Sequence, residues 1–180
     1  MKSFQHLKLW IGVVLILSIM QQASTAQDKS TRPSPPAKVS FNLNGNDIVI
    51  DYSSPSVKGR EIWGKLVPFD AVWRAGANEN TTISFSKPVM IEGKKLAAGT
   101  YGFHTIPTAN DWTLIFSNDS KEWGSFSYKQ EHDALRVTVK PQANSFQERL
   151  VYTIVKADKK AKAALAWEKL MIPFTIENAN

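Results

Sequence analysis

The chain has 180 residues, with 22 lysines and arginines, 16 aspartates and glutamates, and no cysteine. The missing cysteines exclude disulfides, thiolate metal sites and a cysteine nucleophile. The basic residues are scattered along the sequence rather than interleaved with aromatic residues in one patch, so the composition argues against a nucleic-acid partner.

The first 26 residues have the pattern of a secretory signal peptide. Lys2 and Lys8 precede the 12-residue apolar run Leu9–Met20, and small residues favour cleavage after Ala26. A membrane-spanning helix needs about 20 apolar residues, so a cleaved signal is favoured over an uncleaved membrane anchor. The predicted location is therefore the periplasm or the exterior. Loss of the two lysines leaves 20 basic and 16 acidic residues, a net charge of +4.

The residues after the signal divide into a lead-in and one domain. Residues 27–37 contain three prolines and no apolar periodicity, which predicts a flexible segment. Residues 38–180 are predicted to form the domain. Its clearest local signal is a hairpin, because two alternating runs, KVSFNL and NDIVIDY, are joined by Asn44 and Gly45, which favour the positive φ of a tight turn.

Further strand-like runs follow at short intervals, separated by Gly, Asn or Pro turn signals. They are Thr81–Phe85, Val89–Ile91, Gly99–Ile106, Trp112–Phe116, Leu135–Lys140, Leu150–Val155 and Ala163–Ile176, the last with a break near Pro173. Such a series predicts an all-β fold, a single antiparallel β-sandwich of jelly-roll or immunoglobulin-like type. The charged run Lys156–Lys162 is interpreted as a solvated loop between strands.

One connection, between Tyr52 and Thr81, is unusually long for a compact β-domain, and such loops tend to be functional or to cover an opening of the core. Its tryptophans and other apolar residues predict that it packs against the sandwich. Residues 61–69 are compatible with a short helix within it.

Polar and aromatic groups in and near this connection predict a binding site for a small polar ligand or a cell-envelope glycan. The guanidinium groups suit carboxylate or phosphate, and exposed indoles suit a sugar ring. The predicted ligand-binding residues are Arg60, Trp73, Arg74, Asn78, Glu79, His104 and Trp123. In the alternative interpretation these groups are structural, with Arg74 paired to Asp51 or Asp70, and the protein is an interaction module without a small-molecule site.

An enzymatic interpretation also stays open. His104 shares a strand face with Gly102, which leaves a gap through which another group can approach. In a hydrolase His104 would act as a general base with Glu79 or Asp51 as its partner.

A Ser–His–acid triad is a further possibility, although the chain has no G-x-S-x-G motif. It would combine Ser125 or Ser127 with His104 and Asp133. The histidines outside the signal, His104 and His132, have no metal-ligand spacing, and neither a metal nor another cofactor is predicted. Trp112 and Trp167 lie at alternating strand positions and are predicted to be in the core.

Four blocks of the sequence together resemble a known family. The blocks DYSSPSVKGREIWGKLVPFDAVWRAGANENTTISFS, GKKLAAGTYGFHTIP, DWTLIFSNDSKEWGSFSY and DALRVTVKP occur in this order between Pro36 and Ile176. The family is domain of unknown function 2911, uncharacterised and found mostly in exported proteins of Bacteroidetes-type bacteria. The resemblance implies an exported, all-β, stand-alone domain and brings no catalytic residues. Positions that match its pattern include Arg60, Trp73, Arg74, Asn78, His104, Trp123, Asp133 and Arg136.

Overall fold

The computed structural model describes residues 29–179, and the predicted signal peptide lies outside them. Most of these residues form β-strands in two antiparallel sheets, which confirms the predicted all-β sandwich. Within the described range, helical structure is limited to two 3-10 turns, Lys29–Thr31 and Gln130–His132. The described residues contain no helix with the length and apolar character of a membrane span.

The strands fall into a six-stranded and a four-stranded sheet. In chain order they are β1 (Pro36–Leu43), β2 (Asn46–Ser53), β3 (Thr82–Phe85), β4 (Val89–Ile91), β5 (Lys94–Leu96), β6 (Gly99–Pro107), β7 (Trp112–Ser117), β8 (Asp133–Val139), β9 (Gln142–Ala157) and β10 (Lys160–Asn178). The larger sheet has the order β1-β2-β3-β6-β7-β8, and the smaller has β5-β4-β10-β9. Neighbouring strands of the larger sheet follow one another along the chain, except that the β4–β5 hairpin of the other sheet comes between β3 and β6. The larger sheet is therefore a meander and lacks the Greek-key order of jelly rolls and immunoglobulin domains.

The predicted hairpin at Asn44 and Gly45 is confirmed. Both residues have positive φ, 51° and 82°, and Leu43 pairs with Asn46 across the turn. Strand β1 begins at Pro36, inside the segment predicted to be a flexible lead-in. The alternation of β2 buries Ile48, Ile50 and Tyr52 against the other sheet, as the period-two pattern predicts.

A cluster of four tryptophans fills one part of the core. We call it the tryptophan cluster: Trp63, Trp73, Trp112 and Trp167. Its ring centroids lie between 5.0 and 6.4 Å apart, mostly edge to face, and the rings of Trp73 and Trp167 are stacked at 17°. The predicted core positions of Trp112 and Trp167 are confirmed, since both side chains are almost fully buried.

The last two strands form a longer hairpin than the sequence predicts. β9 and β10 are joined by a turn at Asp158 and Lys159, so the charged run is mostly strand. The predicted break at Pro173 is wrong, because β10 changes partner there. It pairs with β9 up to Met171 and with β4 from Ile176, so the missing N–H of Pro173 removes no ladder hydrogen bond.

The long connection, residues 54–81, packs onto the sandwich as predicted. Val57, Ile62, Val67 and Ala75 are buried. The short helix predicted at residues 61–69 is wrong: the chain forms turns there, with Gly64 at φ 82°. A glycine in this left-handed conformation interrupts a helix.

The end of this connection takes the place of a strand beside β6. Strand β3 pairs only with residues 99–102 of β6, and beyond them the connection continues along the same edge. Trp73 and Thr105 exchange two backbone hydrogen bonds of 2.8 Å, and Phe103 N–H donates to the Thr81 carbonyl. The register of this bridge fixes where the next side chains of the connection lie.

Candidate functional site

Arg74 and His104 face each other on the outer surface of the larger sheet. Trp73 is paired with Thr105 in an antiparallel bridge, so the residue after Trp73 is opposite the residue before Thr105. Side chains alternate between faces along a strand, and Phe103 and Thr105 point into the core. Arg74 and His104 therefore both lie on the opposite face, away from the core.

His104 is buried although it lies on this outer face. Its ring packs against Tyr128, with centroids 5.4 Å apart, and only 2% of the residue is exposed. Burial lowers the pKa of His104 to about 4, because desolvation and the charge of Arg74 outweigh the opposing attraction of Asp133 and Asp119. The imidazole is therefore neutral at physiological pH and able to accept a proton.

The gap predicted beside His104 at Gly102 is occupied by neighbouring groups. A Cβ on Gly102 would lie 2.5 Å from the Asp119 carbonyl, 2.9 Å from the Asn80 amide nitrogen and 3.3 Å from His104 Nε2. The Asn80 amide donates to the Asp119 carbonyl at 3.0 Å. The glycine thus permits the loop after β7 to close over the sheet at this point.

That loop, residues 118–129, carries the remaining groups of the site and is called the covering loop. Its Ser125 Oγ lies 3.3 Å from His104 Nδ1. Gly124 has φ 70°, and a Cβ there would lie 2.2 Å from Arg74 Nη1. Glycine is therefore required on two grounds, the backbone conformation and the close approach of the guanidinium group.

A cavity of about 220 Å³ opens between the long connection and the covering loop. It is lined by Val72, Trp73, Arg74, Ser125 and Phe126. Phe126 is 88% exposed, and its ring lies 5.9 Å from the Arg74 guanidinium carbon. The cavity therefore combines one cation and one hydroxyl group with apolar walls.

The guanidinium group of Arg74 has no carboxylate partner among residues 29–179. Nη1 donates one hydrogen bond, of 3.2 Å, to the Asn78 carbonyl. Partial burial lowers the pKa of Arg74 but leaves it charged at neutral pH. The sequence-based alternative, an ion pair with Asp51 or Asp70, is wrong in the part of the chain described, where Asp51 pairs with Lys38.

A hydrogen-bonded network supports the ring of His104 from behind. Tyr128 donates to Asp133 Oδ2 at 2.7 Å, and Arg136 Nε donates to the same oxygen at 2.5 Å. Arg136 also donates to the Tyr128 hydroxyl group. The carboxylate of Asp133 is buried, and in the described structure its Oδ1 accepts no hydrogen bond. Asp133 therefore acts on His104 through its charge and through Tyr128.

The side chains of Asn78 and Glu79, two of the predicted ligand-binding residues, contact the segment before β1. The Asn78 amide donates to the Ser34 carbonyl at 2.9 Å. Glu79 accepts two hydrogen bonds from Arg32, of 2.9 and 3.0 Å, and lies 3.0 Å from Lys29 Nζ. Burial raises the pKa of Glu79, but a backbone hydrogen bond and the two cations outweigh it and lower the value to about 2.

We expect Glu79→Gln to loosen this segment and to speed tryptic cleavage after Lys29 a few-fold. Exposed ion pairs contribute roughly 0.2–1 kcal/mol, and Glu79 is about a third exposed. In the wild type the stabilisation by the Glu79 ion pairs is complete above about pH 4.5 and is lost as pH falls toward 2. The reason is that the pKa of Glu79 is about 2 in the folded chain and about 4.5 in the unfolded chain. Glu61→Gln, an exposed acid of the same connection, is the control. Equal cleavage of both variants would contradict the anchoring role.

The remaining predicted residues do not line the cavity. Arg60 donates to the Val57 and Ser56 carbonyls of its own turn, at 3.0 and 2.5 Å, and does not line the cavity. Trp123 belongs to the covering loop and is 55% exposed. The acids proposed as partners of His104, Glu79 and Asp51, are engaged with cations elsewhere. Of the predicted residues, Trp73 and Arg74 line the cavity, His104 lies behind its Ser125, and Asn78 reaches Arg74 through its backbone carbonyl.

A larger cleft, of about 580 Å³, lies between β8, β9 and β10 and contains none of the predicted residues. Its rim carries both signs of charge, from Glu92, Asp111, Lys140 and Lys162, so it favours no single class of charged ligand. Among the described residues there is no group of three or more His, Asp or Glu that could hold a metal ion.

Comparison with known protein families places the chain in a family. The family model described as "Protein of unknown function (DUF2911)" matches residues 34–176, nearly all of the described chain. Neither the curated proteins nor the solved structures include a match.

Proposed function

Since the chain belongs to the DUF2911 family, whose description names no activity, we propose from the geometry of the site that it binds a small organic acid at Arg74. The observation that supports this is a half-buried guanidinium group that lines a cavity without a carboxylate partner in the described residues. Partial burial of a cation without a counter-charge costs part of its solvation free energy, and a ligand anion would supply that charge.

The walls of the cavity narrow the class of ligand. A guanidinium fork binds a carboxylate through two parallel hydrogen bonds. Trp73 and Phe126 offer apolar surfaces beside it, and Ser125 offers a hydroxyl group. The volume of about 220 Å³ is below the roughly 300–1,000 Å³ of drug-sized sites, which favours a compact acid with an apolar or aromatic body.

We expect Arg74→Gln to weaken the binding of benzoate at least about tenfold, because hydrogen bonds to charged groups contribute roughly 1.5–3 kcal/mol. Isothermal titration calorimetry on the full chain would measure the dissociation constants. Arg60→Gln is the matched control, since it removes an arginine of the same connection whose hydrogen bonds stay within its own turn.

Three probes separate the ligand classes that an arginine fork can recognise. Benzoate represents the proposed carboxylate, phenyl phosphate the corresponding phosphate, and glucuronate an acidic envelope sugar stacking on the exposed Trp123 and Phe126. Preference for benzoate supports the proposal. No binding of benzoate, or a thermal destabilisation by Arg74→Gln without any change in affinity, would overturn it and favour a purely structural role for Arg74.

A further inference from the structure

Ser125 and His104 form a pair that the binding of an acid does not require. Ser125 lines the cavity, while His104 lies directly behind it, with 3.3 Å between Oγ and Nδ1. A serine activated by a neighbouring imidazole is the arrangement of nucleophilic acyl transfer. Such contacts are commonly long in the absence of substrate and shorten in the reacting complex. We propose that Ser125 is the nucleophile, and His104 the general base, of an esterase acting on small carboxylate-bearing esters.

The protonation state of His104 is compatible with this role. For Ser125 to donate to Nδ1, the imidazole must be neutral with its proton on Nε2. Burial lowers the pKa of His104 to about 4, so the imidazole is neutral at higher pH. When the ring receives the serine proton, the charges of Asp133 and Asp119 partly offset the opposing effects of burial and Arg74 on the imidazolium.

The orientation of the ring is fixed by packing in place of a hydrogen-bonded acid. Tyr128 lies against it, and Tyr128 is itself held by Asp133 and Arg136. Among the described residues His104 has no hydrogen bond to a carboxylate, so the arrangement is a dyad with a supporting aromatic ring and differs from a Ser–His–Asp triad.

The reaction balances with water as the second substrate. Ser125 Oγ bonds to the acyl carbon as its proton passes to His104 Nδ1. The bond to the leaving oxygen then breaks, and that oxygen takes the proton from His104 to leave as an alcohol. Water attacks the acyl-serine and gives a proton to His104, and the acid departs as Ser125 Oγ recovers that proton.

The inference rests on the proposed function in one respect, because Arg74 would hold the carboxylate of the ester beside Ser125. A suitable substrate is 4-acetoxybenzoate, which carries a carboxylate at the far end of an acetyl ester, and phenyl acetate is its neutral counterpart. We expect the full chain to hydrolyse 4-acetoxybenzoate faster than phenyl acetate, and Arg74→Gln to remove that preference.

Ser125→Ala and His104→Gln are each expected to lower the rate at least about 100-fold, the lower end of what general base catalysis contributes. Ser127→Ala is the matched control, because Ser127 belongs to the same loop and donates to Glu122 at 2.5 Å, away from His104. It should leave the rate unchanged. The rate should rise with pH only up to about 4 and then stay level through neutrality, as neutral His104 requires.

A covalent readout is independent of the choice of ester. Diisopropyl fluorophosphate should phosphorylate Ser125 with loss of fluoride, and mass spectrometry would place the adduct on the peptide that contains this residue. Benzoate binding without an adduct or ester hydrolysis would overturn the esterase and leave the binding proposal intact. An adduct on Ser125 together with an unchanged benzoate affinity in Arg74→Gln would support the esterase and overturn the binding role of Arg74.

Discussion

Replacing Trp167 by alanine is expected to lower the free energy of unfolding by about 3–5 kcal/mol, the range found for large aromatic residues in protein cores. Trp167 is 1% exposed and contacts two other members of the tryptophan cluster, stacked on Trp73 and edge to face with Trp63. Truncation removes both ring contacts and leaves a cavity that the rigid strands around it cannot fill.

Urea denaturation would measure this loss, and two further variants make the measurement specific. Trp167→Phe keeps an aromatic ring and should lower the free energy of unfolding clearly less than Trp167→Ala. Trp123→Ala removes an indole that is 55% exposed, and its effect should stay within about 0.5 kcal/mol. A similar loss for Trp123→Ala and Trp167→Ala would contradict the central position of the cluster.

The second large effect is a dependence of stability on pH that originates at His104. In the folded protein the pKa of His104 is about 4, whereas the unfolded value is about 6.5. Between these values the unfolded chain binds a proton that the folded chain does not, so the free energy of unfolding falls as pH is lowered from 6.5 to 4. The stabilisation is complete above about pH 6.5, and the loss at pH 4 amounts to about 3 kcal/mol.

Urea titrations at pH 7 and pH 4 would test this expectation by comparing variants. His104→Gln cannot titrate, so its stability should change less between the two pH values than that of the wild type, by about 3 kcal/mol. His132→Gln is the control, because His132 is partly exposed at the surface. If the free energy of unfolding depended on pH in the same way in the wild type and in His104→Gln, burial would not lower the pKa of His104.

Local patterns predict the strands because backbone alternation is a local property. The Asn44–Gly45 turn and the alternation of β2 need only neighbouring residues, and both are as predicted. Strand β5, three residues long with two exposed lysines, has too short an alternation to be detected. The break expected at Pro173 fails because a change of strand partner is set by the tertiary fold.

The site is less predictable because it depends on which segments meet. The residue types Arg74 and His104 can be selected from the sequence, but their position opposite each other follows from the bridge between Trp73 and Thr105. Sequence reasoning missed Gly124, Phe126 and Tyr128 as parts of the site. Their segment, WGSFSY, has no clear periodicity. Only its two serines, as possible nucleophiles, and Trp123, as a stacking surface, are candidates from the sequence. A buried glycine against a guanidinium group leaves no signal in a single sequence.

The two faces of strand β6 have different surroundings, the core on one side and the covering loop on the other. Tyr101 and Phe103 belong to the interior, whereas His104 belongs to the face beneath the covering loop. Phe126 of the covering loop lines the cavity and is largely exposed, so it can be exchanged without disturbing the packed strands of the core. The wall of the cavity can thus be varied within one loop while the supporting sandwich is kept.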